Sequence, residues 1–504
     1  TLGTFPKRWV LRFLSPVLIT LLFVIPHLLT SRRITTRSGF SSIRSQAIPK
    51  RKPSLQENLY SYESRNYNFT VCERFSGPQE FGQAMAMVML ERSFDLEKVA
   101  KVRSDVIAIT EKGVRTWMSK REPSQLRALS SDLQKPLNLE EEITTFKLMV
   151  KRDAKVKLDS SCLVKHPPAQ NIMFHRKAVN AIFSPCFDEF KNRVITCTNS
   201  NIVFFTEMTN STLASIAKEM LGSEHVYNVG EIDFSKFDKS QDAFIKSFER
   251  TLYSAFGFDE DLLDVWMQGE YTSNATTLDG QLSFSVDNQR KSGASNTWIG
   301  NSIETLGILS MFYYTNRFKA LFVSGDDSLI FSESPIRNSA DAMCTELGFE
   351  TKFLTPSVPY FCSKFFVMTG HDVFFVPDPY KLLVKLGASK DEVDDEFLFE
   401  VFTSFRDLTK DLVDERVIEL LTHLVHSKYG YESGDTYAAL CAIHCIRSNF
   451  SSFKKLYPKV KGWVVHYGKL KFVLRKFANC FREKFDTAFG ERTFLLTTKL
   501  ETVL

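Results

Sequence analysis

The chain has 504 residues, 43% of them hydrophobic, with 64 Lys and Arg against 59 Asp and Glu; it exceeds the ~250–300 residues at which single cores stop growing, so two or three packed subdomains are expected. Its nine cysteines are scattered through a long chain, which excludes a disulfide scaffold and reads as reduced thiols in a cytosolic setting. Residues 1–52 carry ten Lys and Arg and no Asp or Glu, leaving 54 basic against 59 acidic side chains in the remainder. This excludes a global positive field on the folded body, so any RNA-binding surface must be a local basic channel.

At the start, basic residues flank Phe13–Leu29, 17 residues without a formal charge that include Pro16, Pro26 and His27. The run is shorter than the ~20 residues a spanning helix needs, and basic residues on both flanks give no orientation. Membrane contact, a processed targeting segment and an unstructured extension all stay open. Ser38 to Ser54 is rich in Ser, Arg and Pro and reads as a linker. The first residue is Thr1, which suggests part of a longer translated product. From Glu57 onward, helical and strand patterns run without a repeat of 20–50 residues. Forty-five Phe against five Trp suits a large core as well as base stacking.

Four stretches then carry chemistry. Lys151-Arg152-Asp153-Ala154-Lys155-Val156-Lys157 reads as a strand with Lys151, Lys155 and Lys157 on one face, suited to phosphate or to plain solubility. Glu231-Ile232-Asp233-Phe234-Ser235-Lys236-Phe237-Asp238 follows a strand-like Val226–Ile232 and precedes a helix whose apolar face is Phe244, Ile245, Phe248 and Leu252. Asp233 thus sits at a strand end, a stiff mount for a metal ligand, while Asp238 falls near the helix start and could simply cap it.

Gln289-Arg290-Lys291-Ser292-Gly293-Ala294-Ser295-Asn296-Thr297 runs into a helix through Leu309, with Thr297 and Asn301 on one face and Ile299, Ile303 and Leu306 away from it. Its glycine suits close approach by a nucleic-acid backbone; a capped helix with a polar stripe is the alternative. In Phe318 to Ser332, two apolar runs flank Ser324-Gly325-Asp326-Asp327, a β-hairpin with two adjacent carboxylates at its exposed tip. Such a pair repels itself unless a cation sits on it, although a plain Gly-Asp turn reads the same way.

From about Tyr380 the chain is mainly helical, with apolar spacing in Phe397, Val401, Phe405 and Leu408, then Val417, Leu420, Leu421 and Leu424. Cys441, His444 and Cys445, with His423 and His426 upstream, match no common zinc spacing and read as helix packing.

In this order the four stretches resemble motifs F, A, B and C of viral RNA-dependent RNA polymerases. Asp233-xxxx-Asp238, Ser292-Gly293-xxx-Thr297-xxx-Asn301 and Ser324-Gly325-Asp326-Asp327, with Lys151-Arg152-Asp153 upstream, are similar to the alphavirus-like supergroup and most similar to the closterovirus family. Gly348-Phe349-Glu350-Thr351-Lys352-Phe353 resembles motif D, and Pro359-Tyr360-Phe361-Cys362-Ser363-Lys364-Phe365 motif E. The motif match covers about Lys151 to Phe366, and the first 52 residues match nothing in the catalytic pattern. Thr1 is consistent with that family, which expresses its polymerase as the downstream part of a frameshifted polyprotein.

The resemblance implies an α+β right hand with an antiparallel palm sheet flanked by helices: a basic extension over 1–56, fingers over 57–215, palm over 216–379 and a helical thumb over 380–504. It implies two Mg²⁺ ions, replaceable by Mn²⁺, on Asp233, Asp326 and Asp327. Asp238 and Asn301 resemble the pair that recognises the ribose 2′-hydroxyl, with Ser292, Gly293 and Thr297 also in the substrate site. Lys151, Arg152, Lys155 and Lys157 would neutralise the incoming triphosphate, and Lys352 would be the acid for departing pyrophosphate. Implied partners are RNA template and product, ribonucleoside triphosphates, and viral helicase and capping proteins, in membrane-associated replication complexes of the host cytoplasm. The non-enzyme alternative is a scaffold that binds RNA and membrane through its basic N-terminus; intact Asp233, Asp326 and Asp327 argue against it.

Overall fold

A computed structural model describes residues 53–67, 77–151, 168–222, 227–356, 358–370, 372–387, 394–412 and 414–457. The chain divides into two compact units, residues 1–448 and 449–504. Of the second unit, the described part is a short helix, Phe450–Lys454, capped by Asn449, whose Oδ1 accepts from the Ser452 N–H at 2.8 Å. The rest of the description concerns the first unit.

Its strands are β1 (Thr145–Val150), β2 (Asn171–Phe174), β3 (Ile202–Phe204), β4 (Asn228–Phe234), β5 (Thr272–Thr277), β6 (Ser283–Asp287), β7 (Ala320–Ser324), β8 (Asp327–Ser332), β9 (Thr351–Leu354), β10 (Tyr360–Phe361), β11 (Lys364–Thr369) and β12 (Asp372–Pro377). They form three sheets, ordered β2-β1-β5-β6, β3-β7-β8-β4-β9 and β10-β11-β12. The helices that position the site are α1 (Pro78–Ser93), α2 (Lys177–Cys197), α3 (Asn210–Leu221), α4 (Ala243–Ala255), α5 (Glu260–Tyr271) and α6 (Thr297–Phe312). Three more follow, α7 (Asp395–Leu408), α8 (Glu415–Tyr429) and α9 (Ser433–Ser448). The protein is therefore of mixed α+β class.

The five-stranded sheet is covered on both faces. Ile232, Phe234, Leu321, Val323 and Ile330 join Phe244, Phe248, Leu252, Ile303 and Leu306 in one core. Ala320, Phe322, Leu329 and Phe331 join Leu213 and Ala217 of α3 and Phe366 and Phe375 of the three-stranded sheet in another. A strand buried on both sides needs apolar residues at every position, which is why Ala320-Leu321-Phe322-Val323 is a continuous run. Burial of each Phe or Leu contributes about 1.5–3 kcal/mol. The sheet is antiparallel except at one edge, where β3 runs parallel to β7. That departs from the expected all-antiparallel sheet, because the chain reaches β7 from β3 by a long crossover.

Of the basic stretch only Lys151 is described: it is exposed, just past the end of β1 at Val150, and its N–H donates to the Gln170 carbonyl at 2.9 Å. Arg152, Lys155 and Lys157 lie outside the described residues. In α7 the buried residues are Leu398, Phe402 and Phe405, while Phe397 and Leu408 are exposed; in α8 Val417, Leu421 and Val425 are buried and Leu420 is exposed. Phe405, Val417 and Leu421 of the expected spacing are thus buried, and the apolar face is shifted by part of a turn, not replaced.

Candidate active site

Strand register assembles the site. β4 pairs with β8 as far as Ile232 opposite Ser328, and the next residue along each strand is Asp233 on β4 and Asp327 on β8. β8 pairs with β7 through Asp327 opposite Ser324, leaving Gly325-Asp326 as a two-residue turn. Gly325 has φ +62°, the left-handed backbone that the first position of such a turn requires and that glycine adopts without strain. On its other side β4 pairs with β9, with Asp233 opposite Lys352. Directly opposed residues on antiparallel strands carry their Cβ atoms ~4.5–5.5 Å apart on the same face, as Asp233 and Lys352 do, and Asp327 follows the last β4–β8 pair on the other side.

Asp326 is exposed to solvent, yet protein crowds around it. That crowding, with Asp327, Asp238 and Asp233 nearby, pushes its carboxyl up to about 6. Among the described residues no three His, Cys, Asp or Glu side chains already stand in an arrangement that could hold a metal ion. This covers the aspartates and also the Cys441–His444–Cys445 cluster, where His444 Nδ1 faces the Leu412 carbonyl at 3.4 Å. The aspartates nevertheless fit a cation chemically: carboxylates on adjoining strands, one of them already penalised for its charge.

The turn is held from behind by α6, an arrangement not foreseen from sequence. Ser302 Oγ accepts from the Gly325 N–H at 2.9 Å, Thr305 Oγ1 donates to the Gly325 carbonyl at 2.9 Å, and Trp298 Nε1 donates to Ser324 Oγ at 3.1 Å. Trp298, Ser302 and Thr305 are spaced by four and three, one face of a helix, and that spacing was the available signal.

Asp238 does not cap a helix. It lies in a 3₁₀ turn, Phe237–Ser240, and α4 is capped instead by Asp242, whose Oδ1 accepts from the Ala243 N–H at 2.5 Å. Asp238 Oδ1 accepts from Asn301 Nδ2 at 2.9 Å. Burial raises its pKa, against the pull of the Asn301 hydrogen bond and of Arg290, Lys246 and Arg65. Asn301 is on no exposed stripe, for α6 is buried from Ile299 to Ser310. Thr297 Oγ1 donates to the Lys291 and Ala294 carbonyls, both at 2.8 Å, and Ser292 Oγ to the Asn171 carbonyl at 2.7 Å. Gly293 donates its N–H to the Met173 carbonyl, which would lie 2.7 Å from any added Cβ, so the close approach its glycine permits is to β2. These three residues fix the loop that leads into α6.

Glu231 was also missed. It is buried on the same face of β4 as Asp233, and its Oε1 accepts the Tyr360 N–H at 2.5 Å, tying β10 to β4. Burial pushes its carboxyl up to about 7 against the opposing charge of Lys428. In the β10–β11 turn, Cys362 (φ 48°) and Ser363 (φ 61°) hold left-handed backbone without being glycine. Burial and the charge of Asp327 push the Cys362 thiol up to about 12.

Paired aspartates at the central hairpin of a mixed sheet, beside a third on the neighbouring strand, concentrate acidic side chains where these strands end. The chain belongs to the RNA-dependent RNA polymerase family, whose model matches residues 30–456. It is 36% identical over 419 residues to the replicase polyprotein 1ab of Grapevine leafroll-associated virus 3, covering 83% of this chain and 15% of that polyprotein. It is 29% identical over 458 residues to the methyltransferase/helicase/RNA-directed RNA polymerase of Raspberry bushy dwarf virus, covering 89% of this chain and 25% of that protein. With the replicase large subunit of Tobacco rattle virus it shares 29% identity over 408 residues, 80% of this chain and 23% of the subunit. The chain thus spans a quarter or less of the length of these relatives. The closterovirus resemblance drawn from the motifs agrees with the first of them.

Proposed function

We propose that this chain catalyses RNA-templated RNA synthesis, transferring nucleotides from ribonucleoside triphosphates to an RNA 3′-end during replication and transcription of a positive-strand viral genome. The observation that carries the reading is the register that brings the Asp233 end of β4 beside the start of β8 at Asp327 and the Asp326 turn. Asp233 and Asp326 are the principal ligands of two Mg²⁺ ions, or Mn²⁺ in their place, with Asp327 supporting them. Bound there, the ions would lower the charge cost of 3′-hydroxyl attack on the α-phosphate and of pyrophosphate departure. Lys352, opposite Asp233, gives a proton to the departing pyrophosphate. Lys151, Arg152, Lys155 and Lys157 neutralise the entering triphosphate, and Asp238 with Asn301 reads the 2′-hydroxyl. Ser292, Gly293 and Thr297 serve the substrate site through the loop they hold.

In this reading the five-stranded sheet is the palm of a right hand, with fingers over 57–215, palm over 216–379 and thumb over 380–504. Helicase and methyltransferase functions, present in the name of the Raspberry bushy dwarf virus relative, are those of expected partners in membrane-associated complexes of the host cytoplasm. Primer extension on an RNA template with Mg²⁺ tests the function. Asp326→Ala should abolish nucleotide addition while melting no lower than the wild type, since a turn-tip carboxylate contributes little to packing and its charge is costly to the fold. Near-normal extension by the folded variant would overturn the assignment.

A further inference from the structure

Behind Asp238 and Asn301 lies a cluster of six ionisable side chains closed off from solvent: Lys246 and Glu249 of α4, Glu270 of α5, Arg290 and Lys291 of the loop before α6, and Glu304 of α6. Lys246 Nζ reaches Glu249 Oε2 at 2.9 Å and Glu270 Oε2 at 2.8 Å, and Arg290 Nη2 reaches Glu249 Oε1 at 2.5 Å and Glu304 Oε2 at 3.4 Å. Three basic side chains meet three carboxyl groups. Burying such a set gains little stability over apolar packing, so its arrangement invites a role in specificity.

The arrangement has a polarity. A lysine ammonium and an arginine guanidinium can only donate, so whatever oxygen they meet is fixed as an acceptor. Lys246 Nζ donates to Gln241 Oε1 at 2.8 Å, which turns Gln241 Nε2 toward Glu304 Oε2 at 2.5 Å and Asn301 Oδ1 at 3.4 Å. Arg290 Nε donates to the same Asn301 Oδ1 at 2.9 Å, and the Arg290 backbone N–H donates to the Asp238 carbonyl at 3.0 Å. With its oxygen claimed twice from behind, Asn301 presents its NH₂ to Asp238. Gly300 makes room for this: a Cβ there would lie 2.7 Å from Arg290 Cζ.

We propose that Arg290 and Gln241 are positioning residues for sugar choice: they lock the Asn301 amide with its donor toward Asp238, so that a ribonucleotide 2′-hydroxyl meets one fixed donor and one fixed acceptor. The proposal rests on the reading of Asp238 and Asn301 as the ribose site. A 2′-deoxynucleotide leaves both groups unmet, a cost that corresponds to about 5–150-fold in selectivity.

The test measures kcat/KM for matched ribo- and deoxyribonucleotides on one RNA template in the wild type, Asn301→Ala, Arg290→Lys and Gly300→Ala. Arg290→Lys keeps the buried charge and discards the Nε donor; Gly300→Ala changes no charge and displaces the guanidinium. Both should narrow the ribo-to-deoxy ratio by roughly tenfold through loss of ribonucleotide efficiency, with deoxynucleotide efficiency within about twofold of wild type. If Arg290→Lys fails to melt cooperatively, Gly300→Ala decides. A wild-type ratio in these variants beside a narrowed ratio in Asn301→Ala overturns the positioning role and leaves the ribose site standing. An equal fall for both sugars reduces Arg290 to a structural role and also overturns it. An unchanged ratio in Asn301→Ala removes the ribose reading itself.

Discussion

Asp326 is reached by solvent and yet surrounded by protein and by three other carboxylates, a combination that makes its charge costly and its occupancy by a cation favourable. Its carboxyl rises from 3.8 to about 6. Between those values the folded chain binds more protons than the unfolded chain, so without a cation the folded state loses stability as pH rises through that window. A divalent cation favours the ionised form, so protons compete with it as pH falls through about 6. The Mg²⁺-induced rise in melting temperature should therefore be larger at about pH 7.5 than at about pH 5, and Asp326→Asn should flatten the difference. Equal Mg²⁺ shifts at the two pH values, or shifts that survive Asp326→Asn, would remove Asp326 from the metal site.

At the scale of elements, the β7–β8 turn depends on α6 for its place. Ser302 and Thr305 hold the N–H and the carbonyl of Gly325, each at 2.9 Å. Replacing them together, Ser302→Ala with Thr305→Val, should cost ~1–3 kcal/mol in stability and lower kcat roughly tenfold or more, with a smaller change in KM. Thermal melts and extension kinetics check both parts, and an unchanged kcat would show that the turn keeps its place unaided. The hairpin itself was legible in sequence, because strands buried on both faces read as unbroken apolar runs around a glycine turn. The helix after Ser292 was legible too, but its facing was not. Once a helix is buried all round, apolar periodicity no longer marks which side meets the site. The ion cluster was invisible for a different reason: Arg290 and Lys291 look like any basic pair in a loop, and their partners Glu249, Glu270 and Glu304 come from three separate helices. Asp238 read as near a helix start because the apolar face from Phe244 marked the helix, whereas Asp242, four residues nearer to it, is the actual cap.

Across the whole molecule, every catalytic candidate lies in the unit that ends at residue 448 and downstream of residue 150. Deleting residues 1–52 should thus leave nucleotide addition on a supplied primer within a few-fold of the full chain, as extension assays on both forms would establish; a folded but inactive deletion would move that boundary. The order β3-β7-β8-β4-β9 also governs how the protein comes off the ribosome. β4, with Asp233 at its end, leaves the exit tunnel roughly 100 residues before its partner β8, a wait of about 5–20 s at ordinary rates of synthesis. β3 waits longer for β7. Through that interval apolar strands destined for the middle of a sheet present unpaired edges, so the nascent chain is a client for chaperones and a target for proteases. Only when β9 has emerged and closed on β4 can Asp327, Asp233 and Lys352 stand on adjoining strands, and catalytic competence arrives late and all at once in synthesis.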